Sequence, residues 1–152
     1  MKKALFLSIL FFWYVATPFL QAQPVSLTEI PALKKLPVNA IHRVYQDKEG
    51  YIWYGTVNGL CRDDGYRIQV FRADYLHPKI LDNNLIECIT EDRSGRIWFG
   101  TRKGAYILDK QTYRIERINH PALKNRTVVQ MYTTSDGNIW LSTPGTLLRF
   151  DG

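Results

Sequence analysis

A Gly-x-Ile-Trp motif that occurs three times constrains the fold of this 152-residue chain more than any other feature. Trp53, Trp98 and Trp140 lie 45 and then 42 residues apart. The positions that recur with them are Gly50, Gly55, Thr56, Gly95, Gly100, Thr101, Gly137 and Thr143. A repeat of this period indicates structural units that stack, because one such unit cannot bury its apolar faces alone.

Turn residues divide each repeat into short strands. Glycine follows most of the apolar runs, and it supplies the positive φ that hairpin turns need. The first repeat predicts strands at 41–47, 51–56, 60–63 and 66–72. The second predicts strands at 86–91, 96–101, 105–109 and 113–118. The third predicts strands at 128–133, 138–143 and 146–150, with no fourth.

The strand around each tryptophan is apolar at successive positions, as in Ile52, Trp53 and Tyr54. Both of its faces must therefore be covered, whereas a strand in a one-sided sheet would alternate. The small residue two positions after each tryptophan predicts space for a large ring. Gly145 lies five residues after its tryptophan, where Gly59 and Gly104 lie six after theirs, which predicts a last hairpin loop remodelled by one residue.

Four-stranded units at this spacing are typical of β-propeller blades. The predicted fold is all-β: a partial β-propeller of about three four-stranded antiparallel blades in an incomplete ring. The blades span about 41–72, 84–118 and 127–152, the last incomplete. A β-solenoid is the alternative, although its usual repeats are shorter.

The N-terminal segment has the pattern of a secretory signal peptide, residues 1–22, with a helical apolar part. Lys2 and Lys3 precede an apolar run, and Ala22 precedes the expected cleavage point. An uncleaved anchor is the alternative, but the run is shorter than the roughly 20 residues that a bilayer requires. We therefore expect an exported, periplasmic chain. Residues 23–40 then supply a leading strand, 25–30, and a connector.

Composition and motifs argue against several function classes. The formal net charge is +6, but the basic residues are scattered, so binding of nucleic acid is not expected. The sequence contains no recognisable catalytic triad, metal-ligand spacing or phosphate loop, and it predicts no catalytic residue, metal or cofactor. Cys61 and Cys88 could form a disulfide in an oxidising compartment or remain free as small core residues.

Ligand contacts are expected from loops on one rim of the ring. Polar and cationic groups beside an aromatic surface suit hydroxyl-rich or anionic sugars. The candidates are Asn58, Tyr75, His77, Arg102, Lys103 and His120, and the alternative for each is a solvated loop residue. The three tryptophans are interpreted as packing residues between blades, not as a sugar-stacking platform. The threonines are expected to satisfy local backbone groups.

The pattern D-x-x-G-x-I-W-[YFL]-[GS]-T-x-x-G-[LA] resembles the two-component regulator propeller repeat. It occurs at 47–60 and 92–105, and more loosely at 138–146. The order of segments from 25 to 65 is similar to the mature N-terminus of hybrid two-component sensors of Bacteroidetes-type bacteria. In that family, the resemblance implies, two consecutive propellers bind oligosaccharides. A β-sandwich, a membrane helix, a histidine kinase, a receiver and a DNA-binding domain follow.

By this resemblance the chain is expected to be an N-terminal sensor fragment and not itself an enzyme. Its expected partners are an oligosaccharide and the further blades and kinase domains of a full-length sensor. Contact with a membrane would come only through those parts or an uncleaved signal. Open blade edges predict self-association. A stand-alone secreted binding or scaffold protein is the alternative, and a propeller carbohydrate-active enzyme has less support.

Overall fold

The computed structural model describes residues 25–29, 36, 40–73, 76 and 80–151. These residues form three antiparallel sheets in chain order. The first contains β1 (Ile41–Gln46), β2 (Ile52–Thr56), β3 (Gly59–Asp63) and β4 (Ile68–Phe71). The second contains β5 (Ile86–Glu91), β6 (Ile97–Thr101), β7 (Gly104–Leu108) and β8 (Ile115–Arg117). The third contains β9 (Gln130–Thr133), β10 (Ile139–Thr143) and β11 (Thr146–Phe150), and a 3₁₀ turn at Pro121–Leu123 precedes it.

Each sheet is a meander in which consecutive strands pair. The first strands of successive sheets contact one another, β1 with β5 and β5 with β9, so the sheets follow one another as blades do. The expected all-β partial propeller is thereby confirmed. No helix among the described residues is long and apolar enough to cross a membrane. The predicted signal peptide, 1–22, lies outside the described residues.

The leading segment forms no strand over the part that is described. Residues 25–29 lack regular secondary structure and are exposed, with 86% of Val25 and 92% of Leu27 accessible. A strand needs a hydrogen-bonded neighbour, and the described sheets do not include this segment. The alternation of apolar and polar residues at 25–30 predicted a strand, but none of the described sheets supplies a neighbour with which 25–29 pairs.

Apolar side chains fill the spaces between adjacent blades. One cluster joins Trp53 and Leu60 of the first blade to Ile86 and Phe99 of the second. Another joins Trp98 of the second blade to residues that precede and form the third, among them Val128, Met131, Ile139 and Leu141. The second blade is thus covered on both faces, which explains why its strand β6 is buried at every position.

The glycine after each of the first two tryptophans receives a branched side chain from the following blade. A methyl group on Gly55 would lie 3.0 Å from Ile86 Cγ2, and one on Gly100 would lie 2.8 Å from Val128 Cβ. The prediction that this position accommodates a large ring is therefore wrong. Ile86 and Val128 each stand twelve residues before a tryptophan, so the same repeat position supplies the branched residue each time.

The last hairpin loop has the same length as the other two. Thr143 pairs with Thr146 across residues 144 and 145, as Thr56 pairs with Gly59 and Thr101 with Gly104. The prediction of a remodelled loop length is wrong. The glycine has moved from the first residue of the returning strand into the loop, where Gly145 has a φ of 77°.

Candidate functional site

The antiparallel meanders sort the loops onto two opposite ends of the blades. We call one end the turn rim, which comprises residues 47–51, 64–67, 92–96, 109–114 and 134–138. The other end is the connector rim, which comprises the hairpin loops 57–58, 102–103 and 144–145 and the described parts of the connectors 72–85 and 118–129. The predicted ligand residues that the structure describes, Asn58, Arg102, Lys103 and His120, all belong to the connector rim. Tyr75 and His77 lie outside the described residues.

On the turn rim, an aspartate closes the first turn of the first two blades and binds the tryptophan. Asp47 Oδ2 accepts a hydrogen bond from Trp53 Nε1 at 2.8 Å, and Asp92 Oδ2 accepts one from Trp98 Nε1 at 2.9 Å. Burial raises the pKa of each carboxyl, but the indole bonds and neighbouring cations and backbone N–H groups outweigh burial and hold both pKa values below the ordinary range. Trp53 and Trp98 are almost fully buried, so neither offers a face to a ligand.

The third blade lacks this aspartate. Thr134 stands in its place and its hydroxyl donates to Asn138 O at 3.0 Å, within its own turn. Trp140 is only half-buried. Tyr132 and Leu147 on the same face expose 64% and 63% of their surface, so this face of the third blade is open in the described structure.

The repeated threonines close the hairpins of the connector rim. Thr56 Oγ1 donates to Gly59 O at 2.8 Å and accepts from Asn58 N at 3.0 Å. Thr101 makes the same pair of bonds with Gly104 O and Lys103 N, both at 3.1 Å. These hydroxyls donate and accept their hydrogen bonds within the loop, and the bonds hold the loop residues in fixed positions on the rim.

Arg102 is the predicted ligand residue that the fold places beside an acidic side chain. Its Nε lies 3.1 Å from Glu87 Oε1, and Glu87 Oε2 lies 3.9 Å from His42 Nδ1. Sequence reasoning missed His42 and Glu87. Both stand eleven residues before a tryptophan, at the start of the first strand of a blade, so alignment of the repeats by their tryptophans would have placed them side by side.

The other described candidates have separate environments. Lys103 is exposed, and its carbonyl accepts a hydrogen bond from Arg117 Nη2 at 2.9 Å. His120 Nδ1 accepts from Ala122 N at 3.2 Å and so caps the 3₁₀ turn. Asn58 is half-buried in its hairpin. The hydrogen bonds and ion pairs of the described residues do not join His120, Asn58 and Arg102 to one another.

The described ends of the connector after the first blade are bonded to each other and to the neighbouring strands and loops. Asn84 bonds the backbone of Ala73 through both its amide oxygen, at 2.8 Å, and its amide nitrogen, at 2.9 Å. Its carbonyl accepts from Gly59 N at 2.7 Å. Arg117 binds Asp82, whose backbone N–H donates to Tyr106 Oη at 3.0 Å. The rim therefore presents polar groups on an ordered framework, which suits recognition of hydroxyl-rich molecules by hydrogen bonds.

A buried charge cluster joins the first two blades at the turn rim. Lys110 Nζ lies 3.2 Å from Asp47 Oδ2, 3.0 Å from Glu49 Oε1 and 2.9 Å from Glu91 Oε1. Burial lowers the pKa of Lys110, but the hydrogen bonds that its ammonium donates to Glu91, Glu49 and Asp47 outweigh burial and raise that pKa above its ordinary value. We call these four residues the Lys110 cluster. Among the described residues, no group of three or more histidine, cysteine, aspartate or glutamate side chains could hold a metal ion.

Both cysteines are free thiols buried in the described structure. Cys61 lies with Leu36 and Tyr54 on the outer face of the first blade, whereas Cys88 lies between the second and third blades. Burial raises the pKa of Cys61 to about 11 and that of Cys88 to about 12. Of the two alternatives that the sequence left open, the structure contains the free core cysteines.

The chain is similar in fold to solved extracellular domains of a putative hybrid two-component system and a putative one-component system. One, from a putative hybrid two-component system of B. thetaiotaomicron, is 21% identical, with a TM-score of 0.66 over 82% of this chain and 17% of that one. Another, from a putative one-component system of B. thetaiotaomicron, is also 21% identical, with a TM-score of 0.67 over 84% of this chain and 17% of that one. The chain thus spans about a sixth of the length of these domains.

An enzyme also shares the fold. Virginiamycin B lyase from Staphylococcus aureus, solved as an inactive variant with quinupristin, is 17% identical, with a TM-score of 0.58 over 76% of this chain and 43% of that one. No curated protein matches this chain.

The repeats themselves match a known family. Residues 35–58, 80–103 and 122–145 match the model of the two component regulator propeller. Each matched segment begins before the first strand of a blade and ends at or next to the hairpin loop that follows the tryptophan. The chain therefore belongs to the two-component regulator propeller family, of whose repeats it carries three.

Proposed function

We propose that this chain is part of the exported sensor region of a two-component system and that its connector rim contributes to binding an oligosaccharide. The observation that carries the proposal is the match of three successive repeats to the two component regulator propeller, laid out as consecutive blades. A sensor role needs a binding surface and not a reaction centre, so we propose no enzymatic activity for this part. Kinase activity would belong to other domains of a longer protein.

Export is part of the proposal. The pattern of residues 1–22 is that of a signal peptide, and the neighbours in fold are described as extracellular domains. The proposed location is the periplasm. The partners are the further blades that would cover the open face at Tyr132, Trp140 and Leu147. A chain that lacks them would self-associate through that face.

The charges and fixed loops of the connector rim support the choice of ligand. Arg102, Lys103 and His120 offer donors on loops that the threonine and Asn84 bonds hold in place. Glu87 and His42 extend the polar surface to the first strands of two blades. Such groups bind sugar hydroxyls through many hydrogen bonds, each of modest strength.

The test is calorimetric titration of the full chain with oligosaccharide fractions released from plant and animal glycans. We expect one fraction to bind and Arg102→Ala to weaken that binding at least about fivefold, the effect of losing one or two hydrogen bonds. Arg114→Gln, on the turn rim, is the matched control and should leave the affinity unchanged. If no fraction binds, or if both variants behave like the unmodified chain, the connector rim is not a sugar site.

A further inference from the structure

The turn rim contains two equivalent grooves that differ in charge. The Arg62 groove, lined by Arg62, Asp64, Arg67, Ile68, Gln69 and Tyr113, has a volume of about 470 Å³. The Ile107 groove, lined by Arg96, Ile107, Asp109, Thr112, Arg114 and Glu116, has a volume of about 330 Å³. Arg62 and Ile107 each stand nine residues after a tryptophan and pair across the sheet with Gln69 and Glu116 respectively. The second groove is therefore an internal reference for the first.

The cations of the Ile107 groove are neutralised within it or beside it. Arg114 lies 3.1 Å from Glu116, and Arg96 lies 2.7 Å from Asp92. The lining of this groove holds two arginines and two carboxylates. The Arg62 groove holds two arginines and one carboxylate, because Gln69 stands where the other groove has Glu116. Arg62 stands where it has Ile107, and Tyr51 occupies the repeat position of Arg96, so the number of arginines is the same. It therefore has a positive charge in excess.

Arg62 has no carboxylate partner among the described residues. Its guanidinium carbon lies 3.8 Å from the centre of the Tyr51 ring and 5.6 Å from that of Tyr113, and its Nη1 donates to the Tyr113 hydroxyl. Its enclosed Nε is the one buried side-chain polar atom, among those described, that has no hydrogen-bond partner. The two rings fix the charge in place without neutralising it.

Two further groups are available to a ligand beside this fixed charge. Arg67 leaves 88% of its side chain exposed and lies 3.5 Å from Asp64, so it can turn towards an anion. Tyr113 comes from the second blade, has a φ of 58° and remains 39% exposed. A bulky residue rarely adopts this backbone conformation, and here it places the ring against Phe71 and at the edge of the groove.

We propose that the Arg62 groove binds a carboxylate-bearing sugar residue, a second ligand site on the rim opposite the connector loops. The carboxylate accepts from Arg67 and the Gln69 amide in the field of Arg62, since guanidinium groups bind carboxylates through strong charge-assisted hydrogen bonds. The exposed edge of Tyr113 contacts the apolar face of the sugar ring. This inference rests on the proposed function in one respect, namely that the ligand is a sugar.

The test uses the full chain with two probes, trigalacturonate and the neutral galactotriose. We expect Arg67→Gln to weaken trigalacturonate binding about tenfold, the loss of one charge-assisted contact. Arg114→Gln in the Ile107 groove should change it by less than about twofold, which is below half a kcal/mol. Arg102→Ala on the connector rim is measured alongside to show which rim holds the acidic sugar. Arg67 is exposed, so its replacement should leave the urea midpoint unchanged. Galactotriose should not distinguish Arg67→Gln from the unmodified chain.

Three outcomes would overturn the inference. The first is that trigalacturonate does not bind. The second is that Arg67→Gln and Arg114→Gln weaken its binding equally, because equal effects would indicate general attraction to positive charge. Loss of binding in Arg102→Ala but not in Arg67→Gln would place the acidic sugar on the connector rim. That last result would leave the proposed sensor function standing, whereas failure of every oligosaccharide to bind would remove both.

Discussion

Replacing Lys110 with methionine should destabilise the chain more than any surface substitution. The change keeps an unbranched side chain, one atom shorter, and removes its charge. Asp47 and Glu91 would then face each other across the first two blades with side chains that are 0% and 1% exposed. The exposed Glu49 can turn to water, since 58% of its side chain is accessible. Two carboxylates would remain buried without their cation.

The magnitude follows from the burial of those carboxylates. Removing one partner from a buried ion pair costs about 3–5 kcal/mol, because the remaining charge has no compensation. Asp47 keeps its bond from Trp53, and Glu91 keeps one from Lys48 N at 3.0 Å, so we expect the lower half of that range, about 3–4 kcal/mol. For an exposed pair the expected loss would be below about 1 kcal/mol.

The assay is urea unfolding followed by tryptophan fluorescence, since Trp53 and Trp98 are buried in the folded chain. Lys124→Met, at an exposed position, is the matched control and should change the free energy of unfolding by less than about 0.5 kcal/mol. The deficit of Lys110→Met should shrink as the pH falls towards about 4, because the carboxylates can then take up protons on folding. The double variant Lys110→Met/Glu91→Gln should recover part of the loss.

A difference of less than about 1 kcal/mol between Lys110→Met and Lys124→Met at pH 7 would refute this reasoning. So would a deficit that does not depend on pH. Either result would mean that solvent reaches the Lys110 cluster or that the blades move apart to hydrate it.

Gly100→Ala should lower the free energy of unfolding by about 2–3 kcal/mol through overpacking, because the added methyl group would meet both Cys88 and Val128. Gly55→Ala should lower it less, since the closest contact of its methyl group is 3.0 Å. Urea midpoints of the two variants measure the difference. Because the pKa values of Asp47 and Asp92 are depressed in the folded chain, their carboxylates stabilise the fold above about pH 4. This contribution is lost as the pH falls through the folded-state pKa, so the urea midpoint should drop between pH 5 and about pH 3. A midpoint constant over that range would contradict this. The thiols of Cys61 and Cys88 should resist iodoacetamide at pH 8 in the folded chain and react in urea, as mass spectrometry would detect. Rapid labelling of Cys88 without urea would show that the second and third blades open.

The blade architecture could be predicted from the sequence because each repeat encodes it locally. The aspartate, glycine and tryptophan of one repeat bind one another within a single turn, and the threonine closes the next loop. Strand ends differ from the prediction by only one or two residues in most cases, since glycines mark the turns. The strand predicted at 25–30 is different, because its pairing depends on a partner far away in the chain.

Contacts between repeats could not be predicted in the same way. Lys110 meets Asp47 across 63 residues, and Tyr113 meets Arg62 across 51. Each appears in the sequence as an ordinary turn residue. His42 could have been paired with Glu87 by comparing equivalent positions in two repeats, but the distance between them depends on how closely the blades pack.

The packing of a branched side chain against a glycine of the preceding blade affects how repeats can be added to a propeller. The first two repeats carry both halves of a joint, a branched residue at the start, such as Ile86, and a glycine two residues after the tryptophan, such as Gly100. Duplication of a whole repeat therefore adds a branched residue and a glycine that match those of the neighbouring repeats. A substitution at only one of the two positions disturbs the packing between blades. In the third repeat Ser142 stands at the position of this glycine, so a side chain occupies space that is left to Ile86 and Val128 at the other two joints. A neighbour on that face would have to pack in another way than Val128 does against Gly100.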